Sequence, residues 1–378
     1  MSTSYKLITV ILIMSFVKPK TKLCKTAITV FTPEYNCIDP ESGFISEGAN
    51  ARVWAVKRVD TKEKFILRTS ELTKDEYTKH QEYMNRLKNI KNVVKCYKSY
   101  YLSSILYEIL DYGEKGDLLA YIQNMDTMSH QRELVILFKK IINAVYHIHQ
   151  QNIIHTDLKL ENIVIDRHNN PLIIDFGSAV ERNTLNSGRG TKVYIDPIIL
   201  DNWGIRETKF TVNQDKWSLG VLLYVMVMKR MPFDEELDRM EIEEVLSVIQ
   251  KRDIIFRKGV AQPVVEIILE LLKINESERI GLLDLIELIN RRLAEPSWEY
   301  LSSDYLMQIV DNHFKMTPPH APYNMSAEKV DVITFVFSFL FILILVSICF
   351  FIYITQKKKE MSEMTSNLDD YGIEEIKE

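Results

Sequence analysis

The sequence is poor in cysteine and carries no surplus of basic charge. Its 378 residues include four cysteines (Cys24, Cys37, Cys96 and Cys349), widely scattered and without a C-x-x-C pairing. That distribution argues against a zinc site or a disulfide scaffold, and scattered free thiols fit a reducing compartment. Lysine and arginine number 47 against 52 acidic residues, a formal charge of −5. This balance gives no support for a nucleic-acid partner. No internal repeat is present. What remains is ordinary globular composition, 26% charged and 46% hydrophobic, in a chain long enough for one large domain with appendages.

Long apolar runs are also scarce. Residues 7–17 form one, too short to span a bilayer and followed by Lys18, Lys20, Lys22 and Lys25 rather than a small-x-small cleavage site. They read as a strand or packed extension, with a signal-peptide core as the alternative. Val332–Ile354 forms the other and contains no charged residue. As a helix it would cover about 34 Å, enough for the hydrocarbon core, so a transmembrane helix is expected there. Tyr353 and Lys357–Lys359 mark an interface. The boundaries expected are an N-terminal extension over 1–37, a folded domain over 38–294, a proline-broken linker over 295–331, the span over 332–354, and an acidic tail over 355–378.

Within the folded part, one stretch concentrates chemistry. His155-Thr-Asp157-Leu-Lys159-Leu-Glu-Asn162 leads into Ile163–Ile165, a polar turn at Asn169-Asn170-Pro171, and Leu-Ile-Ile-Asp175-Phe-Gly177. Two short apolar runs joined by such a turn read as a hairpin with acidic and amide groups at its ends. The stretch resembles the catalytic loop and D-F-G motif of the eukaryotic-type serine/threonine protein kinase family. Gly190-Thr191 to Pro197, Asp215-Lys-Trp217-Ser218-Leu-Gly220 and Arg279 extend the resemblance, which runs from about Phe44 to Leu293.

The resemblance implies an α+β, two-lobed fold, with a small β-rich N-lobe and a larger helical C-lobe, followed by the transmembrane helix. It implies ATP and Mg²⁺ as cofactors and protein Ser/Thr hydroxyls as acceptors. Asp157 would orient the attacking hydroxyl, Lys159 would balance charge on the γ-phosphate, and Asn162 and Asp175 would hold the metal. Ser46, Gly48, Ala51 and Val53 fall where a glycine-rich loop covers the phosphates. Lys57 lies too close to Gly48 to be the phosphate-gripping lysine. Arg68, at 68 − 48 = 20 residues, takes that position. Arginine is a broad planar fork rather than a point charge, so the exchange is not conservative. Its acidic partner is expected on the helix over 72–90, with Glu82 preferred and Glu76 the alternative. Glu108 to Leu110 would hold adenine, with Tyr107 gating the back pocket.

Several positions depart from the family pattern. Thr156 stands where an arginine usually receives an activation-loop phosphate, which implies control by other means. Ile198 replaces the glutamate that pairs with Arg279, so that brace is expected to be lost. These departures leave a pseudokinase scaffold as the alternative to an active, membrane-anchored kinase. For orientation, a tail anchor with a cytosolic domain is preferred over a type I arrangement, although Lys357–Lys359 favour a cytosolic tail.

Overall fold

The computed structural model describes residues 24–38, 44–47, 51–186, 190–203, 207–233, 240–251 and 254–300. The apolar run 7–17, Gly48, the linker beyond Tyr300, the span Val332–Ile354 and the acidic tail lie outside the described residues. Among the described residues, no helix is long and apolar enough to cross a membrane.

The N-lobe begins with a short helix α1 (Cys24–Ile28) and strands β1 (Tyr35–Cys37), β2 (Phe44–Glu47), β3 (Ala51–Arg58) and β4 (Lys64–Glu71). Helix α2 (Lys74–Leu87) follows, then β5 (Cys96–Leu102) and β6 (Ile105–Leu110). The strands form one antiparallel sheet in the order β1-β3-β4-β6-β5, with β2 also pairing with β3. The three strands expected between Phe44 and Arg68 are present.

Side chains alternate across a strand, so each strand serves two faces. Phe65 and Leu67 of β4, with Tyr107 and Ile109 of β6, join Trp54 and Val56 in a cluster covered by Cys24, Ile28, Phe31 and Tyr35. The stretch from Cys24 to Tyr35 therefore belongs to the core of this lobe. Arg68 and Glu108 take the opposite parity and face the other side.

This packing brings two cysteines together. Cys24 and Cys37 form a disulfide, with Cα atoms 6.1 Å apart. The expectation of scattered free thiols is corrected at this pair. They stand 13 positions apart in sequence, and only the return of the chain from α1 to β1 closes the gap. Cys96 is a free, half-buried thiol.

In the C-lobe, α3 (Leu118–Gln123) is capped by Asp117, whose carboxylate accepts the Ala120 N–H at 2.7 Å. Helix α4 (Gln131–Gln150) follows. Its Leu134, Phe138, Ile141, Val145 and Ile148 recur at spacings of three and four and are buried, as the periodicity predicts. Short strands β7 (Ile153–Ile154), β8 (Ile163–Ile165), β9 (Pro171–Ile173) and β10 (Val180–Glu181) carry the loops between them. The expected hairpin pairs Ile163 with Ile173 and Ile165 with Pro171. Asp166 closes its turn by accepting the N–H groups of His168 and Asn170.

Further on come β11 (Leu185–Asn186), α5 (Pro197–Asp201), β12 (Thr208–Lys209), α6 (Val212–Met228), α7 (Ile242–Lys251), α8 (Gln262–Leu271) and α9 (Leu282–Ala294). Helix α6 is buried on every side from Gln214 to Met228 and forms the axis of this lobe.

Candidate active site

Asp215, on the first turn of α6, organises the catalytic loop from below. It has no exposed surface. One carboxylate oxygen accepts the His155 N–H at 2.9 Å and His149 Nε2 at 2.8 Å, and the other accepts the Thr156 N–H at 2.9 Å. Burial raises its pKa, but the hydrogen bond from His149 and the His155 N–H outweigh that and hold the carboxyl below its usual range.

These bonds support a left-handed backbone at Thr156, whose φ is 67°. A Cβ at Gly190 would lie 2.5 Å from the Thr156 carbonyl oxygen, so only glycine lets the activation segment approach here. The Thr156 hydroxyl donates to the Ser178 carbonyl at 2.8 Å. Threonine thus ties the catalytic loop directly to the segment after Asp175.

His155 is fixed at both ring nitrogens. Its Nδ1 accepts the Asp157 N–H at 3.3 Å, which leaves Nε2 to donate to the Ile174 carbonyl at 3.0 Å. Neither His147, which is exposed, nor His149 or His155 belongs to a metal-binding cluster among the described residues.

Asp157 is brought together with Lys159, Asn162 and Thr191. Its carboxylate accepts Thr191 Oγ1 at 2.6 Å and Asn162 Nδ2 at 2.9 Å, and meets Lys159 Nζ at 3.0 Å. Lys159 also donates to Thr191 Oγ1 at 2.7 Å. Three side chains from the catalytic loop and activation segment hold the carboxylate in one orientation, and one of them is a cation. Such a group can receive a hydroxyl proton while the lysine offsets charge on a transferred phosphoryl group.

Arg68 crosses from the N-lobe and bonds Asp175 Oδ1 through Nη2 at 3.0 Å. Asp175 has φ 61° and ψ 78°, and its side chain is 47% exposed. Burial raises its pKa, but the Arg68 charge and the Gly177 N–H outweigh that, so the carboxyl sits below its usual range.

Neither helix glutamate meets Arg68. Glu82 is 61% exposed and pairs with Arg86 at 3.1 Å. Glu76 closes the α2 capping box, accepting from the Thr73 N–H and hydroxyl at 2.8 Å each. The position facing the sheet is His80, which shares a stripe with buried Tyr83, Met84 and Leu87. The 80/83/84/87 spacing is the sequence signal that places it there. His80 Nε2 bonds Glu108 Oε1 at 2.7 Å.

The hinge is also displaced. Glu108 pairs with Arg68 on one side and Ser99 on the other, so its backbone belongs to the sheet, and Leu110 is buried at the strand end. The crossing between lobes is Asp111–Gly116, where the Lys115 N–H reaches the Ile165 carbonyl at 3.0 Å and a Cβ at Gly113 would lie 2.5 Å from Val164. A polar run with two glycines after an apolar strand is the sequence cue for that crossing. Of the phosphate-loop positions, Ser46 pairs with Val53 across the β2–β3 hairpin, and Ala51 opens β3.

Arg279 has not lost its brace. Its guanidinium forms a buried ion pair with Asp196 and also donates to the Asn213 and Lys273 carbonyls. Asp196 caps α5 through Oδ1 and meets Arg279 through Oδ2. The partner comes from two residues before Ile198, and the expectation of a lost pair is corrected.

A β-rich lobe and a helical lobe joined by a short crossing, with this carboxylate-centred loop in the C-lobe, define the protein-kinase class. The family model for the protein kinase domain matches residues 41–289, and the chain belongs to that family. Over 153 residues (39% of this chain) it is 35% identical to NUAK family SNF1-like kinase 2 of Homo sapiens, covering 23% of that protein. Testis-specific serine/threonine-protein kinase 5 of Mus musculus is 32% identical over 201 residues, half of either chain (50% and 51%). Serine/threonine-protein kinase GIN4 of Saccharomyces cerevisiae is 35% identical over 154 residues, 40% of this chain and 13% of its own. The chain thus spans from about an eighth to about half of the length of these relatives.

Proposed function

We propose that this protein is an ATP-dependent serine/threonine protein kinase anchored to a membrane by residues 332–354. The observation that carries the reading is Asp157, oriented by Asn162, Lys159 and Thr191 on a loop braced by Asp215. Positioning and charge stabilisation supply most of the catalysis in phosphoryl transfer, and this set offers both. Asp157 would orient the substrate hydroxyl and take its proton. Lys159 would balance the γ-phosphate.

Mg²⁺ fits the remaining donors. The Asp175 carboxylate and the Asn162 amide are hard oxygen ligands, and this metal is commonly held by one or two such groups with water and substrate phosphates. Bound there, it would neutralise phosphate charge. Phosphorylation of a generic Ser/Thr protein by the full chain, dependent on Mg²⁺, is the test. Asp157→Asn is expected to lose about 10³-fold in rate. Equal rates from the two proteins would overturn the reading in favour of a pseudokinase scaffold.

Lys18–Lys25 and the cellular supply of ATP support a cytosolic domain. The Cys24–Cys37 disulfide favours the opposite, type I orientation, because disulfides persist mainly in oxidising compartments. Protease treatment of sealed microsomes separates the two. Digestion of the domain from outside supports the cytosolic orientation, and protection supports the type I one.

A further inference from the structure

Glu108 presents a charge without its full set of partners. It is 1% exposed, and its Oε1 accepts from His80. Among the described residues, its Oε2 has no hydrogen-bond partner. Burial raises the pKa, but the His80 hydrogen bond and the charges of His80 and Arg68 outweigh it, so the carboxyl lies below its usual range. It is therefore ionised at neutral pH. A buried carboxylate with one bare oxygen is unfavourable unless a second donor is within reach.

Arg68 stands opposite it on the adjacent strand. It is the direct cross-strand partner of Glu108, and both side chains project from the same face of the sheet. A guanidinium has five N–H donors in a fixed fork, and the Arg68 bond to Asp175 comes from Nη2. Each carboxylate stabilises the charged form of Arg68. Burial first and the Glu108 charge second push the Cys96 thiol up to about 12, so it stays protonated, and it donates to the Lys98 carbonyl at 3.4 Å.

We infer that Glu108 is the positioning residue for Arg68, receiving the guanidinium through Oε2 when Asp175 turns to metal and phosphate, with His80 of α2 orienting the carboxylate from the helix side. The inference rests on the phosphotransfer reading above. The acid usually expected on the helix has moved to the neighbouring strand, and the helix contributes an imidazole in its place. Movement of α2 then reaches Arg68 through the His80–Glu108 hydrogen bond rather than directly.

The test uses the full chain, with nucleotide affinity measured by titration of ATP and Mg²⁺, steady-state kinetics, and a thermal midpoint for each variant. Glu108→Gln keeps the shape and removes the charge. It is expected to weaken ATP binding and raise KM for ATP about tenfold, with a smaller change in kcat. Adding His80→Glu to Glu108→Gln returns a carboxylate from the helix side and is expected to recover affinity to within about twofold. Unchanged affinity in a folded Glu108→Gln overturns the inference and leaves the kinase reading intact. If Glu108→Gln fails to fold, His80→Leu takes its place, with an expected loss of about threefold and no loss as the overturning result. Wild-type protein that neither binds nucleotide nor transfers phosphate overturns the kinase reading and this inference together.

Discussion

In the C-lobe, Asp215 meets three donors and Arg279 meets a carboxylate and the carbonyls of Asn213 and Lys273. In the N-lobe, Glu108 meets one donor, and Arg68 is drawn across to Asp175. The C-lobe charges are buried, saturated and fixed. The N-lobe charges keep one bond in reserve. A buried charge can change partners only if an alternative is already in place, because leaving it bare even briefly is costly. Asp157 thus stands on the rigid side, and Arg68 stands on the side with a bond in reserve.

The sharpest way to break this comparison is to open the saturated side. Asp196→Ala strips Arg279 of its carboxylate and leaves a buried cation. Urea unfolding is expected to show a loss of about 3–5 kcal/mol. A loss no larger than a surface ion pair's would remove the contrast between the lobes.

A smaller effect belongs to the N-lobe. Cys37→Ser removes a bridge between residues 13 apart in sequence, and chain entropy for such a loop predicts a cost of about 3 kcal/mol. Chemical denaturation with and without reductant checks it. The wild type should fall to the level of the variant when reduced.

The smallest effect concerns Lys216, whose Nζ donates to the Arg279 carbonyl at 3.1 Å. Burial first, then the Arg279 charge, lower its pKa from 10.5 to about 8. Between those values the unfolded chain holds the proton and the folded chain does not. Stability therefore rises with pH across that window and is lower below it. Relative to Lys216→Met, the wild type is expected to gain about 2 kcal/mol between pH 7.5 and pH 10. A parallel response of both proteins would show that Lys216 is not held in this way.

The candidate site was largely legible where its parts are contiguous. His155 to Asn162 and the β8–β9 hairpin follow from short-range pattern, and the bonds among Asp157, Lys159 and Asn162 close within that loop. The α4 stripe and the Asp117 cap are equally local. Helix rotation and strand length are not local in this way. The count from Arg68 points to Glu82, but the α2 stripe turns residue 80 inward and residue 82 outward. The crossing lies three residues beyond the expected hinge because β6 continues to Leu110 before the chain crosses.

The sequence by itself determined the kinase class, the strands from Phe44 to Arg68, and the loop that carries Asp157, since backbone periodicity and turn chemistry are encoded in neighbouring residues. The tertiary structure alone decided which acid stands beside Arg68, which acid holds Arg279, and that Cys24 meets Cys37. Arg279 and Asp196 are 83 positions apart, and Arg68 and Asp175 are 107 apart. At such separations a charged side chain meets whichever partner the sheet register and helix rotation bring within about 3 Å, and spacing along the chain does not specify that distance.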